Sequence, residues 1–184
     1  MINLSLNILD VVQNSIRAGA STISIVIREM KEPDLYDIEI TDNGSGIPAD
    51  LLPKVTDPFV TTRTTRKVGM GLPLLRQHAI MAGGDLEIES HEGSGTRVKA
   101  VFSLSHIDRQ PLGDMPGVMM ILIAANPETD FIYTHMTDNG EYTFSTRETR
   151  EYLGTDSLNG KGLLSEIKEM ILQNLIDIGA EGIE

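Results

Sequence analysis

The sequence predicts an α+β fold: a two-layer α/β sandwich with a mostly antiparallel sheet, followed by a small C-terminal α+β segment. Runs that alternate apolar and polar residues, as half-buried strands do, occur as neighbouring pairs. Amphipathic helical patterns fall between these pairs, which favours helices packed on one face of the sheet. A stretch containing Pro and Gly at residues 107–117 is predicted to link a first part, 1–106, to a second, 118–184.

The first part begins with a helix and an antiparallel strand pair. The helix LSLNILDVVQNSIRAGA has one apolar stripe at helical spacing, formed by Leu6, Leu9, Val12 or Gln13, and Ile16. The segments STISIVIRE and LYDIEIT alternate and should pair with each other, and PADLLPKV should form a short helical turn.

The first part continues with a loop, a helix and a hairpin. No apolar residue lies between Val60 and Val68, which predicts an exposed loop there. The amphipathic pattern GLPLLRQHAIMAGG predicts a helix that ends at a glycine pair. DLEIES and TRVKAVFSL then predict two strands joined by the turn HEGSG.

The second part is predicted to contain three antiparallel strands with one or two helices packed on them. GVMMILIAA is a continuous apolar run of strand length, and FIYTHMT and EYTFS flank the turn DNG at 138–140. STRE at 145–148 predicts a capping box that opens a short helix, and KGLLSEIKEMILQNLIDIG a longer one. Two interpretations stay open: a separate unit for protein contact or dimerisation, or an extension of the first core.

Composition and charge exclude several classes of function. The chain of 184 residues has a net charge of −12, whereas a nucleic-acid-binding surface needs a basic footprint. It has no cysteine, which excludes disulfides, thiol catalysis and Cys-ligated metal and fits a reducing compartment. We find no signal peptide and no apolar run long enough to span a bilayer, so we expect a cytoplasmic protein.

Three polar residues of the first helix fall on one face. Asp10, Asn14 and Arg17 stand at positions i, i+4 and i+7. Taken alone, such a stripe is usually the solvated side of an amphipathic helix. Asn14 is unusual there, because Asn is mildly unfavourable in a helix interior and this one lies within the apolar setting VVQNSI.

The stretch TDNGSGIP at 41–48 follows a predicted strand. Gly44 and Gly46 would let backbone approach a flat ring, and the Asp42 carboxylate accepts hydrogen bonds only. Asp42 would therefore take the exocyclic amino group of adenine and repel the carbonyl of guanine. The alternative interpretation is an ordinary Asp-Asn-Gly turn.

Two further motifs suggest a place for phosphate. Gly69 and Gly71 come just before a helix, where free N–H groups bind phosphate oxygens, and Lys67 adds positive charge beside them. The alternative is a glycine-rich start of an ordinary helix. Thr96, in GSGT, ends a turn from which its hydroxyl could reach the same pocket, or it belongs to a simple hairpin.

In order and spacing, these motifs together resemble those of the GHKL ATPase superfamily, which includes DNA gyrase B, Hsp90 chaperones, sensor histidine kinases and MutL. NSIRAGAS with DNGSGIP is most similar to MutL, and DPFVTT with GSGT to histidine kinases. GMGLPLLRQHAIMAGGDLEIES resembles both histidine kinases and mitochondrial pyruvate dehydrogenase kinases. The resemblance covers about residues 4–104 and implies the histidine-kinase-like ATPase fold.

The resemblance also implies roles for individual residues. Asn14 would hold Mg²⁺ bridging the phosphates, Arg17 would lie near phosphate, and Asp42 would read adenine. Residues 60–68 resemble the lid over ATP. The remaining implied contacts are Gly44 and Gly46 beside the base, Gly69 and Gly71 beside the phosphates, and Thr96 near the adenine.

Three departures from the family pattern bear on activity. Asp10 stands where hydrolytic members have a Glu as general base, and its shorter side chain puts hydrolysis in doubt. Lys67 replaces a frequent glycine, which makes the lid stiffer and more basic. The chain also starts too close to the first motif to leave room for a phosphoacceptor helix.

We therefore expect a stand-alone, Mg²⁺-dependent ATP-binding protein that acts as a signalling kinase or regulator on a protein partner. One alternative is a non-catalytic, ATP-gated binding switch. The other is a MutL- or Hsp90-like ATPase clamp, for which a homodimer would be needed.

Overall fold

The computed structural model describes residues 3–56, 71–160 and 162–183. The helices of this part are α1 (Leu4–Arg17), α2 (Gly71–Met81), α3 (Met115–Ala125), α4 (Thr146–Leu153) and α5 (Leu163–Asp177), with a short 3-10 turn at Leu52–Lys54. The strands are β1 (Thr22–Met30), β2 (Leu35–Asp42), β3 (Asp85–His91), β4 (Gly95–Ser103), β5 (Asp130–Thr137) and β6 (Gly140–Ser145). They form one sheet in the order β3-β4-β2-β1-β5-β6.

The sheet is mostly antiparallel, which confirms the predicted α+β class. Only the pair β1–β5 is parallel among the described strands. Alternate residues of β1, namely Ile23, Ile25 and Ile27, are fully buried in the core shared with α1. The opposite face of the sheet carries ion pairs instead, including Arg28 with Asp37 and Arg97 with Glu39.

The stripe of helix α1 that was expected to face the core does so only in part. Its buried residues are Leu4, Ser5, Asn7, Ile8, Val11, Val12 and Ser15. Leu6, which was predicted to be buried, is 39% exposed. Val12 of the expected stripe is fully buried, and Leu9 and Ile16 are partly buried against the core. The buried face is therefore centred on Leu4, Ile8 and Val11, and Leu6 lies outside it.

The run GVMMILIAA is helical, so its prediction as a strand was wrong. It belongs to α3, whose first turn is capped by the Asp114 carboxylate, which accepts a hydrogen bond from the Gly117 amide at 2.7 Å. Helix α3 is apolar on nearly all sides, which suits its position because it packs against both α1 and α5. Such a helix lacks the polar face that would have distinguished it from a buried strand.

The second part extends the sheet of the first part. Strand β5 pairs in parallel with β1 over residues Thr22–Arg28, and β6 forms the predicted hairpin with β5 around DNG. Residues 118–160 and 162–183 contain two strands instead of the three expected. The predicted helices α4 and α5 are confirmed, and Ser145 caps α4 as the STRE motif indicated. The boundary at 107–117 stays a prediction, because pairing within one sheet does not show whether either part folds alone.

Candidate functional site

The three polar residues of α1 lie on one face, as their spacing predicts. Asn14 and Arg17 are exposed and Asp10 is half-buried. The Arg17 guanidinium donates to the Asn14 side-chain oxygen at 2.9 Å and to Gln13 Oε1 at 3.3 Å. The amide oxygen of Asn14 is therefore occupied by a cation, which the sequence did not indicate.

The start of α2 lies against Asp10. A Cβ added at Gly71 would come within 3.0 Å of the Asp10 Cβ and 3.4 Å of its Oδ2, so a side chain at position 71 would crowd Asp10. The N-terminus of α2 thus faces the polar stripe of α1, as expected if both belong to one site. Lys67, Gly69 and the predicted lid at 60–68 lie outside the described residues.

Asp42 ends β2 as a buried carboxylate, only 8% exposed. Its Oδ2 accepts a hydrogen bond from the Ser15 hydroxyl at 2.6 Å, and its Oδ1 accepts one from the Gly44 amide at 2.8 Å. Ser15 follows Asn14 directly but faces inward, so the bond joins the end of β2 to the helix that carries the polar stripe. Both donors leave lone pairs of the carboxylate free to accept further hydrogen bonds.

Gly44 and Gly46 are needed for contacts within the protein. A Cβ at Gly44 would lie 2.9 Å from the Ala18 carbonyl oxygen at the end of α1. Gly46 has a φ of +70°, and a Cβ there would overlap the His91 carbonyl group. These contacts explain both glycines through chain packing, and their predicted place beside a base stays a prediction.

The loop after Asp42 is also held by polar contacts. The Asn43 side-chain oxygen accepts hydrogen bonds from the amides of Ser21 and Thr22, at 2.9 and 3.0 Å. The Ser45 carbonyl accepts one from the Gly93 amide at 2.7 Å. The loop 42–46 is thereby fixed both to the start of β1 and to the β3–β4 turn.

Thr96 lies beside Asp42. It is directly opposite Asp42 on the neighbouring strand β2 and opposite Ser90 on β3. Its hydroxyl oxygen is 2.9 Å from the Ser90 hydroxyl oxygen, which also accepts a hydrogen bond from the Ile47 amide at 2.8 Å. The structure thus brings Asp42, Thr96 and the glycine loop together at one end of the sheet.

Ser15 and Ser90 are the site residues that the sequence analysis missed. Ser15 is 4% exposed and occupies the stripe of α1 that is otherwise mostly apolar. A serine at a core position could have signalled a buried polar partner, since buried hydroxyls are normally hydrogen-bonded. Ser90 gave no such signal, because its partners come from two separate places in the chain, Ile47 and the Gly95–Thr96 pair across the hairpin.

His78 joins α1 and α2 behind the polar stripe. Its Nδ1 lies 3.5 Å from Asn7 Nδ2, and its Nε2 lies 3.2 Å from Gln110 Nε2. Burial lowers the pKa of His78, because a desolvated imidazole disfavours the charged form. A neutral ring therefore fits this junction best.

No group of three or more His, Asp or Glu side chains is placed to hold a metal ion in residues 3–56, 71–160 and 162–183. Nor is any helix of this described part long and apolar enough to cross a membrane.

The described strands form one open, mostly antiparallel sheet, and the buried Asp42 at the end of β2 is hydrogen-bonded to Ser15 of α1. Residues 2–106 match the sequence model of the family described as histidine kinase-, DNA gyrase B-, and HSP90-like ATPase. The match covers more than half of the chain, so the protein belongs to this family. Family membership implies ATP binding and confirms the resemblance stated above.

Several kinases are similar to the first part of the chain. Sensor kinase CckA of Brucella abortus (strain 2308) is 33% identical over 99 residues, which cover 53% of this chain and 10% of that protein. Sporulation kinase D of Bacillus subtilis (strain 168) is 32% identical over 102 residues, 53% of this chain and 19% of that protein. The matched region therefore spans a fifth or less of these relatives.

A solved structure supports the fold over a longer range. The crystal structure of the N-terminal domain of a DNA repair protein superposes with a TM-score of 0.54. The superposition covers 79% of this chain and 53% of the DNA repair protein's chain, at 18% sequence identity. The fold similarity therefore reaches beyond the residues that the family model matches.

Proposed function

We propose that the protein binds ATP together with Mg²⁺ and acts on a partner protein as a signalling kinase or regulator. The observation that carries the proposal is the buried Asp42 carboxylate, held by Ser15 and the Gly44 amide and opposite Thr96. Ser15 joins it to the helix that carries Asp10, Asn14 and Arg17, so acceptors for a base and polar groups for phosphates would belong to one site.

The base would bind at Asp42. Each carboxylate oxygen already accepts one hydrogen bond from the protein, which fixes the plane of the group without using all its lone pairs. A carboxylate oriented in this way accepts an amino group and repels a carbonyl. This supports adenine, with Gly44 and Gly46 beside it.

The phosphates would lie between α1 and the start of α2. An amide oxygen such as that of Asn14 suits Mg²⁺, which prefers oxygen ligands, so the donor set fits the ion. When bound, Mg²⁺ would neutralise charge on the phosphates. The Arg17 guanidinium, now 2.9 Å from the same oxygen, would compete with a dication, so we infer that this exposed side chain turns to phosphate. Gly69, Gly71 and Lys67 would contribute amides and charge.

Phosphoryl transfer at such a site would depend on positioning and charge. Asp10 is the candidate base, but it is shorter than the Glu of hydrolytic relatives and packs beside Gly71. A kinase needs no strong base, so this arrangement supports transfer to a partner more than rapid hydrolysis. The ATP-gated switch and the ATPase clamp remain the alternatives that experiment must separate.

Calorimetric titration with ATP and GTP, in Mg²⁺ and in EDTA, tests the binding site. Asp42→Asn should abolish the preference for ATP over GTP, because an amide also donates to a carbonyl. Asn14→Ala should remove the Mg²⁺ dependence of ATP affinity. The control is Asp138→Asn, which changes the aspartate of the second Asp-Asn-Gly turn, far along the sheet between β5 and β6. An Asp42→Asn variant that keeps the native preference refutes the assignment.

ATP labelled at the terminal phosphate separates the alternatives. Steady release of free phosphate that Asp10→Asn abolishes would support the ATPase clamp. Bound but intact ATP would support a kinase or a switch, and transfer of the label to a candidate partner would identify the kinase. Label retention with no transfer to any partner captured in the presence of ATP would contradict the kinase proposal.

A further inference from the structure

Two hydroxyl groups lie side by side at the predicted base site. Ser90 on β3 is 8% exposed, and Thr96 on β4 is half-buried. Their oxygens are 2.9 Å apart. Because Thr96 is directly opposite Asp42 on β2, and such opposed side chains share a face at about 5 Å, Thr96 and Asp42 border the same space.

The hydrogen bonds around Ser90 assign each proton. Its oxygen accepts from the Ile47 amide at 2.8 Å, and it lies 2.9 Å from the Gly95 carbonyl oxygen, which can only accept. The single proton of Ser90 must therefore point to Gly95, since otherwise two oxygens would face each other without a proton. The contact with Thr96 then requires Thr96 to donate.

We infer that Ser90 determines base specificity by holding the Thr96 proton away from the pocket. With its proton committed to Ser90, Thr96 can only accept hydrogen bonds from a ligand. Asp42, which takes its donors from Ser15 and Gly44, likewise presents only acceptors. This inference rests on the proposed ATP site and names the chemistry it selects: a purine with an amino group at position 6.

The expected consequence is rejection of a carbonyl at position 6. Hypoxanthine has the ring size of adenine but carries a carbonyl there, which would meet acceptors from both Asp42 and Thr96. In Ser90→Ala the Thr96 hydroxyl loses its acceptor and can turn to donate to that carbonyl. The affinity for inosine triphosphate therefore reports directly on whether Ser90 holds the Thr96 proton. Removing the charge of Asp42 would not test this.

The experiment is a double-mutant cycle on nucleotide affinity. Dissociation constants for ATP and inosine triphosphate are measured for the native protein, Ser90→Ala, Thr96→Val and the double variant. We expect Ser90→Ala to lower the preference for ATP about tenfold, about 1.4 kcal/mol at 25 °C. In the Thr96→Val background Ser90→Ala should leave the preference unchanged, because no hydroxyl proton remains to be released.

A purely structural role of Ser90 would give a different pattern. Loss of packing would lower both affinities alike, and it would do so with or without the Thr96 hydroxyl. Ser90→Thr, which keeps the hydroxyl, should restore the ratio. The inference about Ser90 is wrong if the ratio of the two dissociation constants is unchanged in Ser90→Ala, or if Ser90→Ala changes it equally in the Thr96→Val background. Either result leaves the proposed ATP site standing. A native protein that binds neither nucleotide overturns the proposed ATP site as well.

Discussion

Two serines without any motif of their own hold the polar side chains of the candidate site. The Ser15 hydroxyl donates a hydrogen bond to Asp42. The Ser90 hydroxyl accepts one from the Ile47 amide and contacts the Thr96 hydroxyl. Both are less than a tenth exposed, so their hydroxyls exchange hydrogen bonds with protein groups instead of water. A bond to a charged acceptor contributes about 1.5–3 kcal/mol, which makes Ser15 the stronger of the two for stability.

Ser15→Ala should therefore destabilise the fold measurably. It removes the donor to Asp42 Oδ2 and leaves that oxygen buried with one partner fewer, so we expect the free energy of unfolding to fall by about 1–3 kcal/mol. Urea denaturation at neutral pH measures this. Ser94→Ala, at an exposed position in the β3–β4 turn, is the control and should change the free energy by less than about 0.5 kcal/mol. Equal effects from both variants would contradict a specific bond between Ser15 and Asp42.

Among the elements, the loop 42–46 and the β3–β4 turn act as one packed unit. The Gly93 amide donates to the Ser45 carbonyl, and the Ser90 hydroxyl accepts from the Ile47 amide. Gly46 and Gly95 allow this contact, because each has a positive φ and would overlap neighbouring backbone if it carried a Cβ. The proposed base site is thus bordered by two turns that are distant in sequence.

Comparing Gly46→Ala with Gly93→Ala separates the cost of a positive φ from the cost of a collision with neighbouring backbone. Both positions have positive φ, which costs about 1–2 kcal/mol for a residue with a Cβ. Only Gly46 also collides with backbone, at His91, whereas nothing lies within 4 Å of a Cβ at Gly93. Thermal unfolding should therefore show a clearly larger loss for Gly46→Ala than for Gly93→Ala, and ATP affinity should fall only in the first. Matching losses would mean that the two turns are not packed as described.

Local patterns predicted the elements whose two faces differ. The alternation of Ile23, Ile25 and Ile27 identified β1 and its buried face, and spacing alone placed Asp10, Asn14 and Arg17 on one side of α1. The pattern failed for α3, which is apolar on nearly all sides, and for Leu6 of α1, which is exposed. The bonds of Ser15 with Asp42 and of Ser90 with the Ile47 amide join residues far apart in the sequence, so the sequence pattern did not identify these partners.

At the scale of the whole molecule, the second part completes the sheet of the first. Strand β1 would be an edge strand without β5, yet it lies inside the six-stranded sheet. The Glu29 carboxylate on β1 lies 2.7 Å from His135 Nε2 on β5 and accepts a hydrogen bond from the Glu181 amide at 3.1 Å. Glu29 and His135 are buried, so separating the parts would leave polar groups without partners in the core.

Cleavage between the parts tests this dependence directly. A protease site introduced at Ile107, which is 94% exposed, allows the folded chain to be cut without touching the sheet. We expect the two fragments to stay together in gel filtration and to separate only in denaturant, because β1 and β5 remain paired. Amide exchange should show continued protection of β1 after cleavage, with the uncut variant as control. Fragments that separate without denaturant, with β1 still protected in the first, would instead support an independent domain at residues 1–106.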